Sequence, residues 1–165
     1  MTDTLKSISD QCAYLKNPQL DFIPTNFSRH REILLRDLGE LVSAATAGNE
    51  KSVVVLGGSI LEAILYTLIQ AQSGYIAERR GTFEFNPDHS LGNYVSIFNR
   101  WLRSLVRAVA LPDSVVGYRD LVHFNRELDS SPDVCTDAAP EMLRILDALL
   151  EALSEFGASS VAPQR

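Results

Sequence analysis

An arginine and a histidine stand four positions apart in the segment GYRDLVHFNRE, which covers residues 117–127. Residues at positions i and i+4 lie on one face of a helix, so Arg119 and His123 could meet the same phosphate group. Metal-free cleavage of RNA requires a base for the 2′-hydroxyl proton, an acid for the leaving oxygen and positive charge near the transition state. Histidine can act as the acid or base, and arginine can supply the charge. The spacing therefore predicts a phosphate site in which Arg119 anchors the phosphate and His123 is the acid or base.

Polar residues around this pair are candidate supporting groups. Tyr118, Asn125 and Arg126 could contact a phosphate or a base, and Asp120 could join the pair in a hydrogen-bonded cluster. The competing interpretation is that Arg119, Asp120 and His123 form a hydrogen-bonded cluster that stabilises a helix end, because short motifs of this kind also occur without function.

Glu62 is a single acidic residue within a strongly apolar stretch. Burying a carboxylate is costly unless it is paired with a positive or hydrogen-bonding group. We therefore predict that Glu62 faces Arg119 or His123 and orients it. The alternative is that Glu62 points to solvent.

Composition limits the class of protein. The chain has 165 residues, of which 45% are hydrophobic and 22% charged, which is typical of one globular domain with its own core. The net charge of -6 argues against a protein that coats nucleic acid through a broad basic surface, since such binding depends on neutralising phosphates. A small local site for RNA stays compatible with this charge.

No metal, cofactor or membrane span is predicted. Cys12 and Cys135 are far apart and have no nearby histidine cluster, so neither a zinc site nor a disulfide is indicated. The N-terminus lacks a basic start followed by an apolar stretch, and we expect a reduced, cytoplasmic setting. The most apolar stretch, Val53–Ile69, contains Glu62 and is predicted to be a buried core helix.

Apolar residues recur at the helical spacing of three and four, and no run of strict alternation indicates a strand. The predicted helices run from Thr25 or Asn26 to Gly48, from Glu50 to Gln72, from Ser90 through Val109, from Ser114 to Arg126 and from Ala138 to Phe156. Long loops are predicted over Ser73–His89 and Leu128–Asp137, and Pro140 is placed in the first turn of the last helix.

The predicted fold is all-α: a single-domain, up-and-down bundle of four main helices plus a short motif helix. Residues 1–24 are assigned to an N-terminal extension, residues 25–156 to the helical domain and residues 157–165 to a flexible C-terminal tail. The helix from Glu50 is apolar almost all round, so it must be covered on every side, and Gly57 and Gly58 would let a neighbour approach closely. A homodimer is expected, with the third helix or the motif helix at its interface.

Other polar residues are assigned to the surface. We place His30 and His89 there, because neither has a partner motif. Arg79 and Arg80 form a solvated loop pair or contact RNA. A further arginine face, formed by Arg100, Arg103 and Arg107, is either solvated or a nucleic-acid stripe.

Three stretches of the chain resemble one family. The segment YRDLVH at residues 118–123 is similar to the Arg-Asn-x-x-His-Pro-Gly-Arg type of motif of HEPN-like (higher eukaryotes and prokaryotes nucleotide-binding) helical domains. The segments GSILEAIL at residues 58–65 and SLGNYV at residues 90–95 resemble the stretches that precede this motif in the family. The resemblance spans residues 25–156 in the same order.

The resemblance implies a HEPN-like bundle that forms a homodimer and brings two motifs together across a cleft. It also implies RNA binding or metal-independent endoribonuclease activity, in bacterial defence or a toxin system with a partner or antitoxin protein. The alternative class is a non-catalytic helical homodimer that binds a partner protein or a small ligand.

Overall fold

A computed structural model describes residues 2–120 and 134–161, and every regular element in these two ranges is helical. The α-helices, in chain order, are α1 (Thr2–Gln11), α2 (Ala13–Lys16), α3 (Ser28–Thr46), α4 (Glu50–Ala71), α5 (Ser73–Arg80), α6 (Leu91–Ile97), α7 (Ser114–Asp120) and α8 (Val134–Val161). A 3-10 turn, Thr25–Phe27, leads into α3, and a π-helical segment, Phe98–Leu102, follows α6. The all-α prediction is confirmed for the described residues.

Helix α4 is the centre of the core. The side chain of Asn49 accepts a hydrogen bond from the Ser52 N–H at 3.1 Å and so begins the helix, within one residue of the prediction. Helices α3, α6, α7 and α8 all pack against α4. By length and composition α4 is the one described helix that could cross a membrane, but 61% of its most apolar window is buried inside the protein. The prediction that Val53–Ile69 lies in a buried core helix is therefore confirmed.

Gly57 brings α8 close to α4. A Cβ atom at this position would lie 2.2 Å from Met142 Cγ, so the two helices could not approach this closely with any larger residue at Gly57. The close packing predicted for this glycine is confirmed. Helix α7 packs against both α4 and α8.

The first 24 residues share the core of the domain. Leu15, Leu20 and Phe22 are buried, and α1 and α2 pack against both α3 and α8. Near the end of α8, a Cβ atom on Gly157 would lie 2.8 Å from the Phe22 backbone nitrogen. Placing residues 157–165 in a flexible tail is therefore wrong for residues 157–161, whose backbone continues α8.

The predicted loop over Ser73–His89 is wrong in its first half, which forms α5. Glycine disfavours a helix, but Gly74 is exposed and is tolerated because Ile76 is fully buried and holds the helix to the core. Gly81, with a φ of 90°, ends the helix in the left-handed conformation that glycine adopts most readily.

The third predicted helix ends earlier than expected. Regular helix runs through α6 and the π-helical segment to Leu102, and hydrogen-bonded turns continue to Arg107, whose φ of 55° ends them, so Val109 is 81% exposed and not part of the core stripe. Asn99 explains the break: its side-chain amide donates to Leu111 O at 2.9 Å, and its Oδ1 accepts from Leu111 N at 2.9 Å. This pair of bonds holds the returning chain, which leads directly into α7.

The last helix begins before the predicted residue. Val134 is its first residue, so Pro140 lies inside α8 and not in its first turn, and residues 134–137 are helix where a loop was expected. The Thr136 hydroxyl donates to Glu50 Oε2 at 2.7 Å, which joins the first turns of α8 and α4.

Candidate functional site

The predicted catalytic pair lies at the edge of the described structure. Arg119 and Asp120 are the last two residues of α7, and their side chains lie outside the described part of the chain. His123, Asn125 and Arg126 also lie outside it. The helical backbone at Arg119 is as predicted, and the pairing of Arg119 with His123 stays a prediction.

Tyr118 has a structural contact. Its side chain is half-buried, and its hydroxyl donates a short hydrogen bond to Glu141 Oε2 on α8. Burial, followed by this bond to the carboxylate, raises the pKa of Tyr118 above its ordinary value. Tyr118 therefore holds α7 on α8, and the predicted contact with a phosphate or base would compete with Glu141.

Glu62 is half-buried and lines a cavity of about 300 Å³ between α3 and α4, together with His30, Tyr66 and Thr67. It therefore does not stand fully exposed on the surface. Its predicted orientation of Arg119 or His123 stays a prediction, because those two side chains lie outside the described residues.

The surface assignment of His30 is wrong. Its ring is half-buried, its Nδ1 lies 3.1 Å from Thr67 Oγ1, and its centroid lies 5.0 Å from that of Phe27 and 5.7 Å from that of Tyr66. A sequence signal was present: His30 is four residues before Leu34, which is buried, so the two share the inward face of α3. His89 is likewise half-buried, 5.9 Å from the ring of Tyr94.

A second feature is a groove of about 490 Å³ between the end of α5 and the α6 region, which we call the basic groove. Arg79 and Arg80 line one side, and Arg100 and Trp101, from the π-helical segment, line the other. The Arg79 guanidinium lies 3.4 Å from the centroid of the Tyr75 ring, and the Arg100 guanidinium 5.0 Å from that of Trp101. Aromatic faces thus orient two of these cations. Arg79 Nη1 donates to Tyr75 O at 3.4 Å, and the other N–H groups of its guanidinium can make further contacts.

Among the described residues, no carboxylate pairs with the arginines of the basic groove. The ion pairs found among the described side chains involve Lys16, Arg31 and Arg36, and in this part of the chain no carboxylate lies within 4 Å of the guanidinium groups of the groove. Exposed cations gathered in one place without acidic partners are a local positive site on a chain whose net charge is -6.

Arg80 and Arg100 are twenty positions apart in the chain, so no short sequence motif indicates that they line one groove. Arg103 continues the helical backbone after Arg100, with its N–H bonded to Phe98 O, whereas Arg107 has a φ of 55° and leaves it. A nucleic-acid stripe over Arg100, Arg103 and Arg107 stays a prediction. The turn at Gly81 and the start of α6 are what bring Arg80 and Arg100 together.

Within the two described ranges, no group of three or more histidine, cysteine, aspartate or glutamate side chains is placed to hold a metal ion. Comparisons with family models, with curated proteins and with solved structures find no match to this chain. Membership of the HEPN-like family therefore stays a prediction from the three sequence stretches.

Proposed function

We propose that this chain is an RNA-binding protein of the HEPN type, with metal-independent endoribonuclease chemistry at Arg119 and His123. The observation that carries the RNA-binding part is the convergence of Arg79, Arg80 and Arg100 on one groove beside Trp101. The chemical part is supported by the spacing of Arg119 and His123 and by the helical backbone that holds Arg119.

The basic groove suits single-stranded RNA. Guanidinium groups bind phosphate oxygens through paired N–H donors, and an indole ring offers a face on which a base can stack. Unpaired bases are accessible for such stacking, whereas bases inside an A-form duplex are not. The groove accordingly fits a few nucleotides of an unpaired strand.

The proposed reaction needs only groups of the chain and the RNA. The ribose 2′-oxygen attacks the adjacent phosphorus, the bond from phosphorus to the 5′-oxygen breaks, and a 2′,3′-cyclic phosphate forms. One histidine takes the 2′-hydroxyl proton and a second proton is given to the leaving 5′-oxygen, so a homodimer with two copies of His123 would supply both roles. Arg119 stabilises the charge on the phosphorane-like transition state.

The biological setting follows from the same resemblance. We place the homodimer in the cytoplasm, in bacterial defence or a toxin system, with a partner or antitoxin protein that restrains it. Sedimentation equilibrium of the purified chain tests the homodimer, and a monomer at micromolar concentration contradicts it.

RNA binding is tested by fluorescence anisotropy with a labelled twelve-nucleotide single-stranded RNA in EDTA. The variant R79Q/R80Q/R100Q should bind at least about tenfold more weakly than the wild type and show a smaller salt dependence. The matched control is R29Q/R31Q/R36Q on α3, which removes the same charge and should bind within about twofold of the wild type. Equal weakening in both variants would mean that net charge, and not the groove, attracts the RNA.

Stacking is tested separately with Trp101→Leu, which leaves the charge of the groove unchanged. Loss of one base stack is worth roughly 1–3 kcal/mol, so about five- to a hundredfold weaker binding is expected. Thermal melting of the variant shows whether the fold is retained, because Trp101 is half-buried.

Cleavage is tested with a pool of structured RNAs in EDTA, with His123→Ala purified in parallel. Cleavage that disappears in the folded variant supports the proposed chemistry. Binding without cleavage leaves an RNA-binding protein, and neither binding nor cleavage favours the alternative of a non-catalytic helical homodimer.

A further inference from the structure

The cavity between α3 and α4 has a mostly apolar surface, to which His30, Ser59, Glu62 and Thr67 add polar groups. Ile33 and Leu34 line it from α3, and Ala63 and the ring of Tyr66 line it from α4. Its volume of about 300 Å³ lies at the lower end of the range found for small-molecule sites. The cavity is distinct from the basic groove, and the two share no lining residue.

One polar group in this cavity has a defined direction. The Thr67 hydroxyl donates to Ala63 O at 2.8 Å, so its single proton is used within α4. Its oxygen, 3.1 Å from His30 Nδ1, must then accept, and His30 carries its proton on Nδ1 in the neutral form. His30 Nε2 is consequently an acceptor, on the edge of the ring away from Thr67.

The ring of His30 is also held in place. It packs against Phe27 and Tyr66, and Tyr66 in turn meets the rings of Phe85 and Tyr94 edge-on, at 5.0 and 6.1 Å. The Tyr94 hydroxyl donates to Pro87 O at 3.0 Å, which ties this aromatic cluster to the segment that follows α5. Because packing and the hydrogen bond at Nδ1 already hold the His30 ring, a ligand that binds Nε2 does not have to restrict the motion of this side chain, and little conformational entropy is lost.

We propose that this cavity binds a small, flat, uncharged aromatic molecule whose N–H or O–H group donates a hydrogen bond to His30 Nε2. The mostly apolar walls favour an uncharged ring over a hydrated ion, and Glu62 in the lining disfavours an anion. The oriented acceptor selects molecules with a donor on the ring edge over those of the same shape without one. The cavity volume limits the ligand to one or two fused rings.

The test uses pairs of probes that differ in a single donor: indole with 1-methylindole, and phenol with anisole. Each is titrated into ¹⁵N-labelled wild-type protein, and binding is followed by two-dimensional NMR. Indole and phenol should shift the amide signals of residues around the cavity and bind about tenfold more tightly than their methylated partners. Failure of all four probes to bind, or equal affinities within each pair, would overturn the proposal.

Variants locate the site and separate it from the RNA proposal. His30→Phe keeps the aromatic packing and removes Nε2, so indole and 1-methylindole should then bind equally. His89→Phe, a change of the same kind outside the cavity, should keep the preference. Ala63→Leu fills the cavity and should abolish binding of both probes; unchanged binding there would place the site elsewhere.

R79Q/R80Q/R100Q should bind indole as the wild type does. A failure of RNA binding therefore leaves this inference untouched, and a failure of indole binding leaves the RNA proposal untouched.

Discussion

At the scale of single residues, two glycines in helices face opposite environments. Gly57 on α4 faces Met142, whereas a Cβ on Gly39 of α3 would meet nothing within 4 Å. Gly39→Ala should raise the free energy of unfolding by about 0.5–1 kcal/mol, because alanine favours the helix. Gly57→Ala should lower it by about 1–3 kcal/mol, because the overpacking at Met142 exceeds this gain.

Urea denaturation of the two variants measures both changes. Met142→Ala combined with Gly57→Ala makes room for the added methyl group, so the double variant should lose less stability than the sum of its two single variants. Strict additivity would show that Gly57 and Met142 do not interact.

Cys12 is a residue whose ionisation depends on folding. It is 4% exposed, and burial raises the pKa of its thiol to about 11. In the unfolded chain the thiol ionises near pH 8.5. Between these two pH values the unfolded state binds fewer protons than the folded state, so this contribution to stability falls as pH rises through the window.

We expect the Cys135→Ser variant, in which Cys12 is the single thiol, to react slowly with a thiol reagent at pH 8 when native and rapidly in urea. Cys12→Ala should show a shallower loss of stability between pH 8.5 and 10.5 than the wild type. Rapid reaction of the native protein would contradict the burial of Cys12.

At the scale of elements, a carboxylate on α8 begins a helix near the other end of the chain. Asp147 Oδ1 accepts from Tyr14 N at 2.8 Å and from Leu15 N at 3.0 Å, in the first turn of α2. Asp147→Ala should lower the free energy of unfolding by about 1–3 kcal/mol, because two backbone N–H groups lose their acceptor. Asp147→Asn keeps an acceptor oxygen and should lose less.

Thermal and urea unfolding compare these variants, with Glu151→Ala as the exposed control on the same helix. If the alanine and asparagine variants at position 147 are equally stable, Asp147 does not act through these two bonds.

The sequence predicts a helix accurately where the residues of that helix themselves mark its ends and its buried face. Helix α4 has a capping Asn49 and a long apolar run, and its bounds were found to within one residue. Helix α5 was missed because Gly74 counts against a helix locally, while its support, the burial of Ile76, comes from the rest of the fold. The early end of the third helix was missed for the same reason, since Asn99 binds Leu111 across a turn.

At the scale of the whole molecule, the candidate sites depend on distant parts of the chain. The arginines of the basic groove were noticed individually, but only the folded chain brings Arg80 beside Arg100. The cavity was not predicted, because it needs the pairing of His30 on α3 with Thr67 on α4. Residue types and helical faces could be derived from the sequence, whereas the contacts between helices could not.

The integrity of the fold should depend on residues 1–24. Their removal would uncover parts of α3 and α8 against which α1 and α2 pack, and would take Leu15, Leu20 and Phe22 out of the core. We expect the shortened chain to lack a cooperative thermal transition by circular dichroism. Lys16→Gln, which removes exposed contacts of the ammonium group with the carboxylate and backbone oxygen of Asp10, is the control and should melt within a few degrees of the wild type.

The position of α8 has a consequence for how the protein is made. Helix α8 is synthesised after every other described helix, yet it supplies Asp147 to α2, Met142 to the face of α4 and Gly157 to the segment at Phe22. While the ribosome is still translating, α4 has an uncovered apolar face and the N-terminal helices have no partner on that side. The nascent chain therefore completes its core only after the end of α8 has left the ribosome, and until then the apolar face of α4 is open to aggregation.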